Sequence, residues 1–300
     1  MKRVDVLTLL VIGALWGASY VFIRVGAPAL GPLPLMAARV AAAAVVLWVA
    51  TRASGQVSRL RPHASRLLVL GLINSALPST LIATAELRLN ASFVAVLGAT
   101  APLFAALLGA LLQHERVSVP RAAGLLLGVL GVATLSGFGA VRPSVATAWS
   151  ITATLLASLS YAAGAMYAKH AFAGVSAPTL AFGQQLGAFA WLAAPAAVRL
   201  PYAHPTAAAL GALAALANIS TALAFVLYFR LIARVGPTLT STVTYIVPAF
   251  GMLFGALFLG ERITGGMVFG FGVIAVSVAL VNDGWIAQLK PRVRHRLLPL

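Results

Sequence analysis

The chain has 300 residues, of which 61% are apolar and 9% are charged, whereas an ordinary soluble domain carries about 25% charged residues. This composition excludes a soluble globule, and the absence of any long polar stretch leaves no room for a second, soluble domain. The net charge of +16 does not indicate nucleic-acid binding, because the Lys and Arg residues punctuate apolar runs instead of gathering on one water-exposed face. With zero Cys residues, the sequence contains no disulfide framework and no thiolate metal or redox site.

Apolar runs separated by polar, Pro or Gly breaks predict an all-α integral membrane protein with ten spanning helices, since one span needs about 20 apolar residues. The predicted helices cover residues 5–24, 33–51, 66–85, 91–112, 119–138, 147–168, 178–198, 207–229, 237–259 and 264–282. The first run loosely imitates a signal peptide, but its length and the nine runs that follow favour a retained first span.

Charge placement predicts the orientation of these helices. With the N-terminus inside, the cytoplasmic segments hold fifteen of the 21 Lys and Arg residues, the opposite segments hold five, and Arg39 lies within the second helix. Because Lys and Arg near helix ends remain on the cytoplasmic side, both termini are predicted to be cytoplasmic. The basic segment 290–296 is then interpreted as an anchor on anionic lipid.

The chain resembles itself at an offset of about 146 residues. Residues 102–116 align with residues 248–262, and Pro, Phe, Gly, Glu and Arg coincide between the two segments. The halves 1–146 and 147–300 each hold five predicted helices, so an odd number of spans inverts the second copy in the membrane. Two inverted five-helix repeats are typical of secondary transporters, which bind substrate near the midplane between the halves.

The Trp16-Gly17-Ala18-Ser19 segment and the two Pro-to-Glu-Arg segments resemble the ten-helix EamA-type branch of the drug/metabolite transporter superfamily, over nearly the whole chain. The resemblance implies a bacterial inner-membrane permease, usually an exporter of amino acids or related small metabolites. No phosphate-binding loop, metal spacing or nucleophile–base pair at depth is visible, so no enzyme, cofactor or metal is predicted.

Aromatic and amide side chains at mid-membrane depth are the candidate substrate-binding residues. Trp16 and Tyr161 occupy matching places in the two repeats, and an aromatic-lined cavity favours aromatic or hydrophobic amino acids, with ordinary helix packing as the alternative. Mid-depth amides either bond across helices or face a wet cavity. The candidate set is Trp16, Tyr20, Asn74, Tyr161, Gln184, Asn218 and Tyr245.

Arg39 lies opposite Gln184 in the repeat alignment. It reaches either a substrate carboxylate or, by extension of its side chain, the lipid headgroups. Pro78, Pro102 and Pro248 lie within predicted helices and are candidate hinges, because each lacks the N–H that pairs with the carbonyl four residues back. Small-residue spacings favour helix packing within a monomer, with a homodimer as the alternative.

The five acids are Asp5, Glu86, Glu115, Glu261 and Asp283, and all of them fall at or beyond predicted helix ends. Glu115 and Glu261 are expected to pair with neighbouring Arg residues or with helix-end amides. Because no carboxyl group is placed at membrane depth, the sequence predicts uncoupled, facilitated export by alternating access. A proton-coupled antiporter and a passive channel are the alternatives.

Overall fold

The computed structural model describes residues 2–53, 62–114, 118–137, 144–240 and 242–281, and every regular element in these ranges is helical. Six of the helical segments are long and apolar enough to cross a membrane, and three shorter apolar helices accompany them. The all-α membrane architecture predicted from composition is therefore confirmed.

The first half contains α1 to α7, with a π-helical segment, called the first π segment, between α3 and α4. Their bounds are Arg3–Leu30 (α1), Pro32–Ala53 (α2), Ala64–Gly71 (α3), Leu72–Ala76 (first π segment), Leu77–Ala85 (α4), Ala91–Gly98 (α5), Ala101–Leu112 (α6) and Val119–Gly137 (α7).

The second half contains α8 to α14, with a second π segment between α10 and α11 and a short 3₁₀ turn after α9. Their bounds are Val145–Ala171 (α8), Ala177–Arg199 (α9), Leu200–Tyr202 (3₁₀ turn), Ala207–Ala217 (α10), Asn218–Leu223 (second π segment), Ala224–Val235 (α11), Pro237–Thr240 (α12), Val243–Leu259 (α13) and Gly265–Val281 (α14).

Local sequence explains several of these ends. The Ser144 hydroxyl accepts a hydrogen bond from the Thr147 N–H at 3.0 Å and caps α8, and Thr206 caps α10 in the same way. Gly31 follows α1 with φ of 80°, a left-handed conformation that a side chain rarely adopts. The chain can therefore turn directly from α1 into α2.

Helix boundaries differ from the predicted ones where proline is involved. The prediction ends the first helix at residue 24, but α1 continues through Pro28 to Leu30. The last turn is stabilised by burial, since Ala27 and Leu30 are buried. The predicted helix 91–112 is divided instead at Ala99 and Thr100, two residues before Pro102, whose ring nitrogen has no N–H to donate to the Gly98 carbonyl.

The helix contacts repeat when each helix is exchanged for the one about 146 residues away. The pair α1 and α13 corresponds to α8 and α6, the pair α3 and α9 corresponds to α10 and α2, and all four pairs are in contact. The helix α2 packs on its own counterpart α9, and α7 packs on its counterpart α14. The helix α5 packs on α13, and these two belong to the corresponding segments 91–112 and 237–259. Close approach of α1 to α13 depends on Gly17, because a Cβ there would lie 2.6 Å from the Phe250 Cβ.

Candidate functional site

The first π segment binds α9 through two side-chain hydrogen bonds. The Asn74 amide donates to the Gln184 Oε1 at 2.8 Å, and the Ser75 hydroxyl donates to the Gln185 Oε1 at 2.8 Å. Both glutamines are buried. A π segment inserted into an α-helix changes which side chains face the helix neighbours, and such segments are frequent at functional sites. Here it places two polar side chains against the second half of the chain.

The helix α8 approaches this π segment closely because it carries small residues. The Ser160 hydroxyl donates to the Ile73 carbonyl at 2.5 Å, which satisfies a backbone acceptor in the π segment. Four residues later, a Cβ on Gly164 would lie 2.5 Å from the Asn74 Cβ, so only glycine leaves room for that side chain. Tyr161 lies one helical turn before Gly164, on the same face of α8.

Arg39 on α2 binds the second π segment. Its Nε donates to the Thr221 Oγ1 at 2.9 Å, and Thr221 in turn donates to the Leu216 carbonyl at 2.7 Å. Tyr20 and Tyr161 lie close enough to interact electrostatically with the guanidinium. The Arg39 side chain thus faces protein groups from both halves, which distinguishes it from an arginine that extends to lipid headgroups. We call Arg39, Thr221, Tyr20 and Tyr161 the Arg39 cluster.

The structure brings Tyr20 and Tyr161 together around Arg39 and joins Asn74 to Gln184, but the other three candidate binding residues make different contacts. They are Trp16, Asn218 and Tyr245. Asn218 is exposed, and its amide donates to the Ala214 carbonyl of its own helix at 2.9 Å. Tyr245 points its hydroxyl at the Val278 carbonyl on α14, 3.4 Å away.

Trp16 belongs to an aromatic cluster between α1 and α11. Its ring centroid lies 5.1 Å from that of Tyr228 and 6.0 Å from that of Phe225, and Phe229 stacks on Phe225 at 5.8 Å. Aromatic pairs at these separations stabilise helix contacts by edge and offset geometry. Trp16 therefore joins α1 of the first half to α11 of the second half.

The three candidate hinge prolines occupy different backbone positions. Pro78 is the second residue of α4, directly after the first π segment, and Pro102 is the second residue of α6, directly after the break at Ala99 and Thr100. Pro102 therefore lies in a first helical turn, where its missing N–H has no intrahelical partner, whereas Pro78 lies within the continuous span Ala64–Ala85. Pro248 lies inside α13.

A polar cleft of about 690 Å³ lies where α1 and α13 end, and we call it the Arg24 cleft. It is lined by Arg24, Pro28, Leu87, Asn90, Leu259, Gly260, Glu261 and Arg262. Gly260 ends α13 in a left-handed conformation with φ of 63°, and the N–H groups of Gly260 and Glu261 both donate to the Gly255 carbonyl. This turn directs the Glu261 side chain toward the start of α5.

Glu261 binds the N-terminus of α5. Its Oε1 accepts from the Ala91 N–H at 2.8 Å, and its Oε2 accepts from the Ser92 N–H at 2.9 Å and from the Ser92 hydroxyl at 2.5 Å. An acidic group is stabilised at a helix N-terminus by the unpaired N–H groups and the helix dipole. Glu115, the second acid for which structural pairing is predicted, lies outside the described residues.

Two further acids occupy ends of α1 and α4. Asp5 is buried and forms an ion pair of 2.9 Å with Arg234 at the end of α11. Glu86 follows α4 and has no solvent exposure at all. The sequence places Glu86 at a helix end, and it gives no signal that this end is buried inside the protein.

Comparison with known proteins identifies the group to which this arrangement belongs. A family model described as the EamA-like transporter family matches residues 4–137 and 148–283, which together span most of the chain. The chain belongs to the EamA-like transporter family. The resemblance that the sequence motifs indicate is therefore confirmed, and the protein is a membrane transporter.

Individual relatives of this EamA-like transporter have diverse names. The Escherichia coli protein YedA, an uncharacterized inner membrane transporter, is 27% identical over 288 residues, which cover 92% of this chain and 90% of YedA. A probable terminal-alkyne amino-acid exporter of Streptantibioticus cattleyicolor is 26% identical over 251 residues, covering 82% of each chain. An S-adenosylmethionine/S-adenosylhomocysteine transporter of Chlamydia trachomatis is 24% identical over 286 residues, covering 89% of this chain and 85% of that protein.

A solved crystal structure of another protein has the same fold as this EamA-like transporter. The two superpose with a TM-score of 0.67 at 18% sequence identity, and the superposition covers 96% of this chain and 100% of the other.

Proposed function

We propose that this EamA-like transporter exports small metabolites that carry a carboxylate, with aromatic or hydrophobic amino acids favoured, across the bacterial inner membrane. The observation that carries the proposal is the Arg39 guanidinium, which lies in a polar cluster between the two halves and is bonded there to Thr221. A guanidinium inside a membrane protein is costly unless it has a function or a partner, and its planar donors suit a carboxylate. Tyr20 and Tyr161 add apolar ring surface beside it.

We further propose that residues 1–146 and 147–300 form two inverted five-helix repeats with ten spans and both termini cytoplasmic. Three observations support this arrangement. The helix contacts exchange in pairs, the two π segments begin 146 residues apart at Leu72 and Asn218, and the family model matches each half separately. The excess of Lys and Arg on the proposed cytoplasmic side supports the orientation. A reporter fused at residue 300 that is active only outside the cytoplasm would contradict it.

Transport is proposed to occur by alternating access, in which one half rocks against the other. Links between the halves support a carrier over a passive channel, because Glu261 joins α13 to α5 and Asp5 joins α1 to α11. Links of this kind, if broken one at a time, would open the substrate path between the halves on one side of the membrane only. Pro78, Pro102 and Pro248 are the proposed bending points. A monomer is proposed because the interface between the halves lies within one chain.

Energy coupling has two candidate forms. The sequence predicts uncoupled export because it places every acid at or beyond a helix end. The premise of this prediction is that no carboxyl group lies at membrane depth, where water is excluded. Glu86 is fully buried, and this observation favours proton-coupled exchange as the second candidate function.

The test uses purified protein in lipid vesicles loaded with labelled phenylalanine. Flux through the native protein is expected to saturate with concentration, and unlabelled phenylalanine is expected to compete, whereas phenylalanine amide, which lacks the carboxylate, is not. The Arg39→Gln variant should lose at least about 90% of this flux, since a charge-assisted bond is worth about 1.5–3 kcal/mol. Arg88→Gln is the matched control, because Arg88 is exposed. Equal flux in the two variants would contradict the assignment of Arg39.

A further inference from the structure

Glu86 is a buried carboxyl group with no hydrogen-bond partner among the described residues. It directly follows the span that ends at Ala85, its exposed fraction is 0%, and neither carboxyl oxygen is hydrogen-bonded within the described part of the chain. The Arg24 guanidinium donates to the Glu86 backbone carbonyl, not to its carboxyl group. Burying an ionised carboxylate without such partners is expensive, so the neutral acid is the favoured form in this conformation.

Charged and titratable groups on three elements lie close enough to Glu86 to interact with it electrostatically. They are Tyr20 and Arg24 on α1, Arg39 on α2, and Glu261 at the end of α13. Burial raises the pKa of the Glu86 carboxyl well above its ordinary value, the Glu261 charge raises it further, and Arg24 and Arg39 lower it to a smaller extent.

Glu86 interacts with residues of both the Arg24 cleft and the Arg39 cluster. Arg24 and Glu261 line the Arg24 cleft, and Arg39 and Tyr20 belong to the Arg39 cluster. The segment after Glu86 leads directly into α5, whose first N–H groups are bound by Glu261. Because Glu86 is fully buried while its neighbour Leu87 lines the cleft, water reaches the Glu86 carboxyl group only after the surrounding protein moves.

We propose that Glu86 is a proton-binding site at which opening of the Arg24 cleft is coupled to release of a proton, so that the transporter exchanges a proton for its cargo. In the closed form the carboxyl group is neutral. When the cleft opens and hydrates, the O–H bond breaks, the proton passes to water, and the carboxylate remains solvated. Closure requires the carboxylate to take up a proton again. The exchange rests on the proposed function, but the coupling between Glu86 and the cleft does not.

The first experiment needs no substrate. Because the sequence contains no Cys, a single introduced cysteine is the only thiol that reacts with a soluble maleimide. Leu89→Cys and Ala85→Cys report on buried positions, since these residues are 1% and 0% exposed, and Leu200→Cys is the reference at a position 61% exposed and outside the cleft. Dividing the labelling rate of each reporter by that of the reference removes most of the intrinsic pH dependence of thiol reactivity.

With native Glu86, the rate ratio is expected to rise with pH, by up to about tenfold per pH unit below the pKa of the carboxyl, because the ionised fraction rises that steeply. In the Glu86→Gln background the ratio should stay flat, since an amide has no proton to lose. Only single-cysteine variants that unfold at the melting temperature of the native protein are included in this comparison. A ratio that rises equally in the native and Glu86→Gln backgrounds, or that is flat in both, would overturn the coupling.

The second experiment measures exchange in vesicles with an entrapped pH dye and labelled phenylalanine. An imposed pH gradient should drive phenylalanine flux, and flux should move protons in the opposite direction. Glu86→Gln should abolish the response to the gradient. Flux that ignores the gradient in the native protein would overturn proton exchange. Absence of any saturable flux for any amino acid would instead contradict the proposed function, and the labelling result would still decide the role of Glu86.

Discussion

The three hydrogen bonds between Glu261 and the start of α5 make a specific prediction about stability. Replacing Glu261 with Ala removes acceptors for the Ala91 N–H, the Ser92 N–H and the Ser92 hydroxyl, at 2.8, 2.9 and 2.5 Å. A hydrogen bond to a charged group contributes about 1.5–3 kcal/mol, and loss of a helix N-cap costs about 0.5–2 kcal/mol. Because water can reach part of the cleft and replace some bonds, we expect a net loss of about 2–4 kcal/mol in the free energy of unfolding.

Glu261→Gln keeps one oxygen acceptor and loses the charge that interacts with the helix dipole. It should therefore destabilise the protein by about half as much as Glu261→Ala. The assay is thermal unfolding of purified protein in detergent, followed by circular dichroism. Arg262→Ala is the control, because Arg262 is the exposed neighbour on the same turn. Equal melting temperatures for Glu261→Ala and Arg262→Ala would refute the reasoning.

Two further predictions concern the first π segment. Gly164→Ala should destabilise the protein by about 1–3 kcal/mol through overpacking, because the new Cβ would lie 2.5 Å from the Asn74 Cβ, whereas Gly211→Ala, with nothing within 4 Å, should not lower the melting temperature, since alanine is the better helix former. In a double-mutant cycle, Asn74→Ala and Gln184→Ala should show a coupling of about 0.6 kcal/mol, the mean for such bonds in one membrane protein. Additive losses would show that the 2.8 Å bond contributes nothing.

The repetition of helix contacts could be predicted from sequence, because identical residues recur at corresponding positions of the two halves. The alignment of residues 102–116 with 248–262 anticipates that α6 and α13 contact corresponding helices. The π segments could not be predicted, since they depend on tertiary packing. Ser160 satisfies the Ile73 carbonyl, and Gly164 leaves room for Asn74, but both residues lie on another helix almost 90 positions away in the chain.

Part of the Arg39 cluster could be predicted from the sequence, whereas the environment of Glu86 could not. The repeat alignment places Arg39 opposite Gln184, and both residues hold a π segment of the opposite half. Glu86, by contrast, follows an apolar span in the way that a surface acid does. Its burial depends on how the next residues pack against α13, and Glu261 fixes that packing from 170 positions away along the chain.

The Glu261 link and the Asp5 link between the halves differ in strength, and this difference bears on the direction of transport. Asp5 and Arg24 lie on the same helix, so the Asp5–Arg234 ion pair and the Arg24 cleft are separated by about 28 Å at 1.5 Å per residue, which is close to the thickness of a bilayer core. The Arg234 side chain is 49% exposed and the Asp5 side chain is 6% exposed, so solvent screens one partner of this single ion pair and weakens it. The Glu261 link has three charge-assisted bonds. The Asp5 end should therefore open first, and in the proposed topology that end faces the cytoplasm, from which an exporter must load its cargo.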